Sequence, residues 1–138
     1  MIQYDHHLKV YYKDIDQMGI VYYSRYLEYF EEARTELLAS IGLDVTSVEK
    51  NGIQLPVITS HCDYHRGAEL EQNLIIRTII YKLPKAKLRI DYQVFTKENT
   101  EQIILTGYTI HAFLNINGRP VRPPANILDK IKKQMNEY

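Results

Sequence analysis

The chain reads as an α+β domain in which an antiparallel sheet of about five strands wraps around one long central helix. Three observations predict it. One segment near the start repeats apolar residues at helical spacing from Tyr26 to Ile41. Four extended segments follow, joined mainly by connections of hairpin length. The 138 residues, 45% of them apolar, suit a single domain over positions 1–138 with its own core.

Each element has its own signal. From Ile2 to Tyr12 the even positions carry Ile2, Tyr4, His6, Leu8, Val10 and Tyr12, against mostly polar odd ones, so a strand with one buried face opens the chain. The helix begins near Ser24. Tyr26, Phe30, Ala33, Leu37 and Ile41 recur along it, Gly42 stops it, and Arg25, Glu28, Glu32 and Glu36 make a polar face. Leu27, Tyr29 and Leu38 widen the apolar stripe, which predicts burial over more than half of its girth. The stretch DVTSVEKNG accommodates a short helix. Extended segments then cover Ile53–His65, Leu74–Leu83, Lys87–Thr96 and Gln102–Ile116. In the third, Leu88, Ile90, Tyr92 and Val94 alternate with Lys87, Arg89, Asp91 and Gln93. The second, LIIRTIIYKL, is apolar on both faces, which predicts a covered strand and self-association as the cover. LPKAK and KENTEQ are hairpin connections, NGRP is a turn, and PPANILDKIKKQMNEY predicts a terminal helix entered at Pro123 and Pro124.

Composition excludes several functions. The 17 basic and 17 acidic side chains cancel, leaving no field for non-specific nucleic-acid binding. No segment approaches the roughly 20 apolar residues that span a bilayer, and no secretory leader is visible. Cys62 has no partner for an internal disulfide, which fits a reducing, cytoplasmic setting. Twelve tyrosines and no tryptophan predict half-buried rings at pocket walls and subunit contacts.

The residues for chemistry are few. DIDQMG begins like a calcium loop, but the third ligand would be Met18 and the closing glutamate would fall at Arg25. His61 and His65 share one strand face while Cys62 points to the other, so neither zinc nor a Cys–His pair is supported, and no metal is expected. Ser24, Ser40, Ser47 and Ser60 lack the glycines of a nucleophile elbow. What remains is a carboxylate just before a helix whose unpaired N–H groups suit an oxyanion. An isolated aspartate there is more often a cap or a turn former.

The combination changes that balance. Asp14-Ile15-Asp16-Gln17-Met18-Gly19-Ile20-Val21-Tyr22-Tyr23, then Tyr26, then Phe30-Glu31-Glu32-Ala33-Arg34-Thr35-Glu36, resemble the signature of hotdog-fold acyl-CoA thioesterases of the 4-hydroxybenzoyl-CoA thioesterase and YbgC-like branch. CDYHRGAELEQNLIIRT and GYTIHAFLNINGRPVRPP are similar to later strands of that family. The resemblance implies a hotdog fold, an acyl-CoA substrate, no cofactor, and a homodimer that pairs again into a homotetramer. It implies Asp16 as the catalytic carboxylate, either general base or nucleophile, and the backbone N–H of Tyr23 as the oxyanion donor. Gly19 lets the chain turn there, and Asp14 is structural. Val21, Tyr22 and Tyr26 are implied to contact substrate, and Tyr29 and Phe30 are further candidates to line the acyl pocket. Lys85, Lys87 and Arg89, with Arg119 and Arg122, are candidates for the coenzyme A phosphates. The sequence departs from the family at Tyr23, where many YbgC-like members carry histidine, and at Gly67-Ala68 and Glu71-Gln72, where Pro-Ala and Gly-Asp are common. A hotdog dehydratase or hydratase would need a histidine beside its carboxylate, and none lies between Asp14 and Phe30. A non-catalytic acyl-CoA-binding module would keep fold and ligand without turnover.

Overall fold

Alternating side chains build a single antiparallel sheet in a computed structural model that describes residues 1–136. Its strands are β1 (Ile2–Lys9), β2 (Val57–Tyr64), β3 (Asn73–Ile80), β4 (Lys87–Thr96) and β5 (Ile103–Ala112), and they pair in the order β1-β3-β4-β5-β2. The long helix α1 (Arg25–Ser40) and short α2 (Val45–Lys50) lie between β1 and β2, and α3 (Ala125–Asn136) follows the sheet. This is the α+β hotdog arrangement. Residues 137 and 138, the end of the expected terminal helix, lie outside the described residues. No helix among the described residues is long and apolar enough to cross a membrane.

The inner face of the sheet packs on α1. Leu88, Ile90, Tyr92 and Val94 of β4 are all buried, as are Leu74, Ile76 and Ile80 of β3. Phe30 stacks on Tyr92 with ring centroids 3.9 Å apart and planes 8° from parallel. Gly107 of β5 permits this approach, because a Cβ there would run into the His61 carbonyl oxygen and crowd the Phe30 ring. Phe30, Ala33 and Leu37 are fully buried, and burial of a large apolar side chain contributes about 1.5–3 kcal/mol.

Several expectations need correction. The first strand ends at Lys9, not Tyr12, because Asp14 accepts the Tyr11 N–H at 3.0 Å and closes a 3-10 turn over Tyr12–Asp14, leaving Tyr12 79% exposed. Leu27 does not widen the buried stripe; it faces the edge strand β2 and is exposed. The expected strands at Ile53 and Gln102 contract to Val57–Tyr64 and Ile103–Ala112, with only isolated bridges such as Gln54 to Leu114 beyond them. Both faces of β3 are indeed buried, but the cover is internal. Ile75 and Ile79 are buried within the single chain, and between them in sequence Arg77 lies over Phe95 at 5.0 Å and forks onto Asp5 at 2.9 and 3.0 Å. Exposed apolar surface lies instead on β2, where Val57 and Ile58 are 42% and 48% exposed.

The β2–β3 connection holds the one non-glycine residue with positive φ among the described residues, Glu71 at +69°. Its N–H still donates to Val10 O at 2.9 Å. A side chain in the left-handed region costs about 1–2 kcal/mol, part of which glycine recovers after its own entropic penalty. Glu71→Gly should therefore raise stability by about 0.5–1 kcal/mol, read as a higher urea midpoint; a lower midpoint would show that the carboxylate itself holds the turn.

Candidate active site

The segment before α1 folds onto itself and onto the β2–β3 connection. Ile15 bridges Val21, Ile20 bridges Glu69, and the Val21 N–H donates to Ala68 O at 2.9 Å. Within this loop the Asp16 N–H donates to Ile20 O and the Gly19 N–H to Asp16 O, both at 3.0 Å. Gly19 sits at φ +78°, a conformation that glycine adopts without strain.

The two acids have separate situations. Asp14 is buried, accepts the Tyr11 N–H, and faces Lys13 Nζ at 3.4 Å, while its carbonyl accepts the Tyr22 N–H at 2.9 Å. It holds the turn together. Burial, and then the nearby Asp14 charge, push the Tyr29 phenol well above its ordinary pKa. Asp16 is half-buried, and its Oδ1 accepts the Met18 N–H at 2.8 Å. Its Oδ2 has no hydrogen-bond partner among the described residues. The residue is thus an Asx-turn former with one carboxylate oxygen left for another group.

The helix start supplies donors. Ser24 is the N-cap without a side-chain cap bond, the Arg25 N–H donates to Tyr22 O at 2.8 Å, and the Leu27 N–H donates to Ser24 O at 3.2 Å. The N–H groups of Tyr23 and Ser24 donate to nothing among the described residues. Tyrosines surround them. Tyr22 and Tyr23 rings lie 4.6 Å apart, Tyr64 meets Tyr23 and Tyr26 edge-on at 6.5 and 5.8 Å, and Tyr64 Oη donates to Tyr23 O at 3.2 Å. Burial pushes the phenols of Tyr26 and Tyr64 up to about 12, so both remain neutral donors at any working pH. Tyr64 is absent from the sequence-based candidates. Its only sequence signal is membership of a tyrosine-rich composition, because its contact spans 41 positions.

Asp16, Gly19, Val21, Tyr22, Tyr23 and Tyr26 thus lie along one self-bonded loop and the helix start it feeds, whereas Lys85, Lys87 and Arg89 lie elsewhere. These three line a groove of about 630 Å³ on the β3–β4 connection together with Tyr81, Lys82 and Asp91. Lys87 pairs with Ala112 at one end of the sheet, while Val94 pairs with Leu105, which pairs with Tyr64 beside Tyr23, at the other. Lys87 and Val94 are separated by about 23 Å of strand. Arg89 forks onto Asp91 at 3.2 and 3.1 Å and lies 3.9 Å over the Tyr108 ring. Arg119 and Arg122 are exposed and follow β5 at that same end. No group of three or more potential metal-binding side chains is found among the described residues. His61 contacts Asp63 at 3.0 Å, His65 contacts Thr106 at 3.1 Å, and burial pushes the half-buried Cys62 thiol up, away from nucleophile activation.

Comparison with known proteins gives a consistent picture. The sequence pattern of the thioesterase-like superfamily matches residues 10–131. The acyl-CoA thioesterase YbgC of Haemophilus influenzae is 35% identical over 82 residues, covering 59% of this chain and 60% of that protein. The 1,4-dihydroxy-2-naphthoyl-CoA hydrolase of Synechococcus elongatus is 26% identical over 125 residues, covering 89% and 90%. Among solved structures, protein TT1821 of Thermus thermophilus superposes with a TM-score of 0.87 at 27% identity, covering 96% of this chain and 98% of that one.

Proposed function

Because the chain belongs to the thioesterase-like superfamily and is a thioester hydrolase, we propose that it cleaves acyl-CoA at the start of α1, with Asp16 as the catalytic carboxylate. The observation that carries this reading is the free Oδ2 of Asp16 in the loop that feeds a helix start whose Tyr23 and Ser24 N–H groups donate to nothing among the described residues. A thioester carbonyl accepting from those N–H groups gains negative charge in the transition state, and preorganised donors favour that charge over the ground state. The leaving thiol, with a pKa of roughly 8.5 if it resembles cysteine, departs without a strong acid. Asp16 then acts as general base on water, or attacks directly and is released by water. Tyr64 acts indirectly by holding the Tyr23 carbonyl. Coenzyme A as carrier follows from the names of the relatives, which hydrolyse acyl-CoA and an aromatic naphthoyl-CoA.

The basic groove enters through a second subunit. Pairing of two β2 edges, antiparallel about a twofold axis, sets the Val57 end of one against the Tyr64 end of the other. The partner's β3–β4 connection, two strand spacings or about 10 Å further across, then lies at the Asp16 end of this chain. In this reading Lys85, Lys87 and Arg89, with Lys82, hold the phosphates of coenzyme A bound at the partner's helix start, and Val57 and Ile58 are covered in a homodimer that can pair again. Thiol release over short, long, aromatic and hydroxylated acyl-CoAs tests the activity. Charge-neutral substitution of Lys85, Lys87 and Arg89 together should raise KM about 10-fold or more and flatten its salt dependence, with kcat little changed. An unchanged KM at low salt would remove the groove from the site.

A further inference from the structure

One polar atom in the interior lacks a partner. Tyr29 is 5% exposed, and its Oη, buried within the single chain, makes no hydrogen bond among the described residues. The atom is already covered, so pairing with a second subunit adds nothing to it. Buried polar groups in native structures are nearly always paired, and each exception calls for an explanation. Tyr29 lies outside the family signature, in the gap between Tyr26 and Phe30, so the signature does not account for its hydroxyl.

The surroundings point to one acceptor. After burial itself, the Asp14 carboxylate does most to hold the proton on Tyr29, by its charge and as an acceptor. Asp14 is 2% exposed. Its Oδ2 accepts the Tyr11 N–H at 3.0 Å, but its Oδ1 is met among the described residues only by Lys13 Nζ, at 3.4 Å and from an exposed side chain. A buried donor and a buried acceptor with spare capacity thus face each other. The Tyr29 ring is held edge-on by Tyr26, with centroids 5.7 Å apart and planes at 86°.

Asp14 joins the two halves of the site. Its carbonyl accepts the Tyr22 N–H at 2.9 Å, next to the Tyr23 N–H, and Asp16 follows it by two residues. We propose that Tyr29 is a positioning residue: its Oη donates to the Asp14 carboxylate, ties the loop from Asp14 to Tyr22 to the core face of α1, and so fixes Asp16 relative to the Tyr23 N–H. Hydrogen bonds of this kind are often long in a free enzyme and tighten with substrate in place. The proposal rests on the thioesterase reading above, and it puts Tyr29 behind the site and not in the wall of an acyl pocket.

The test is Tyr29→Phe, which keeps the ring and removes the hydroxyl, followed by thiol release and by urea unfolding. A hydrogen bond to a charged group corresponds to about 10- to 100-fold in an equilibrium or a rate. Because the loss reaches Asp16 through Asp14, kcat should fall about 10-fold while KM stays within about 2-fold. The urea midpoint should fall as well, whereas deleting a hydroxyl without a partner would raise it. In an Asp14→Ala background the same substitution should cost nothing further, the non-additivity expected of two groups in one bond. Should that background not fold, kcat and the midpoint of the single variant decide. A raised midpoint, an unchanged kcat, a higher KM in place of a lower kcat, or an equal further loss in folded Asp14→Ala would each overturn the proposal. No thiol release from any acyl-CoA by the native protein would instead overturn the thioesterase reading, and the urea midpoints would still report whether Tyr29 and Asp14 are bonded.

Discussion

Asp16→Asn should lower kcat for acyl-CoA hydrolysis by about 10²–10⁴-fold, the usual range for a positioned acid or base. The substitution separates chemistry from structure. Asparagine Oδ1 can accept the Met18 N–H as the carboxylate does at 2.8 Å, and the backbone bonds to Ile20 and Gly19 are untouched. Stability should therefore change by no more than about 0.5 kcal/mol, and KM should stay close to its native value. Were Asp16 only a turn former, the amide would serve almost equally well and activity would persist.

Phe30→Ala should have the largest effect on stability, a loss of about 3–5 kcal/mol from a fully buried aromatic. Natural domains hold only about 5–15 kcal/mol in total. The site collapses poorly because the ring rests on Tyr92 at 3.9 Å on one side and on Gly107, which has no side chain to move into the gap, on another. Urea titration with an unchanged m-value measures the loss; a shift below about 1 kcal/mol would mean that helix and sheet repack freely around the void.

Local periodicity made much of this fold legible. The alternation in Lys87–Thr96 predicts β4 residue for residue, and the spacing from Tyr26 to Ile41 predicts α1, because in both cases one face meets the core and the other meets water. Periodicity cannot say which second element a face meets. Leu27 has the right spacing for burial but points toward an edge strand, and the outer residues Ile75 and Ile79 of β3 are already buried within the single chain. The loop from Asp14 to Tyr23 was readable only as a joint motif with the helix behind it, since each aspartate alone looks like a turn former. Distant pairings left no sequence trace. Tyr64 reaches Tyr23 across 41 positions, and the basic residues of the β3–β4 connection lie at the opposite end of the sheet from Asp16, which strand register alone reveals.

The central claim is that an acyl-CoA bound at the start of α1 is cleaved there with the help of Asp16. Its most direct test measures thiol release and equilibrium binding of one acyl-CoA side by side, in the native protein and in Asp16→Asn. The account predicts release by the native protein and near-native binding with almost no release by the variant. Equal release by both proteins would contradict it, and so would tight binding by the native protein with no release.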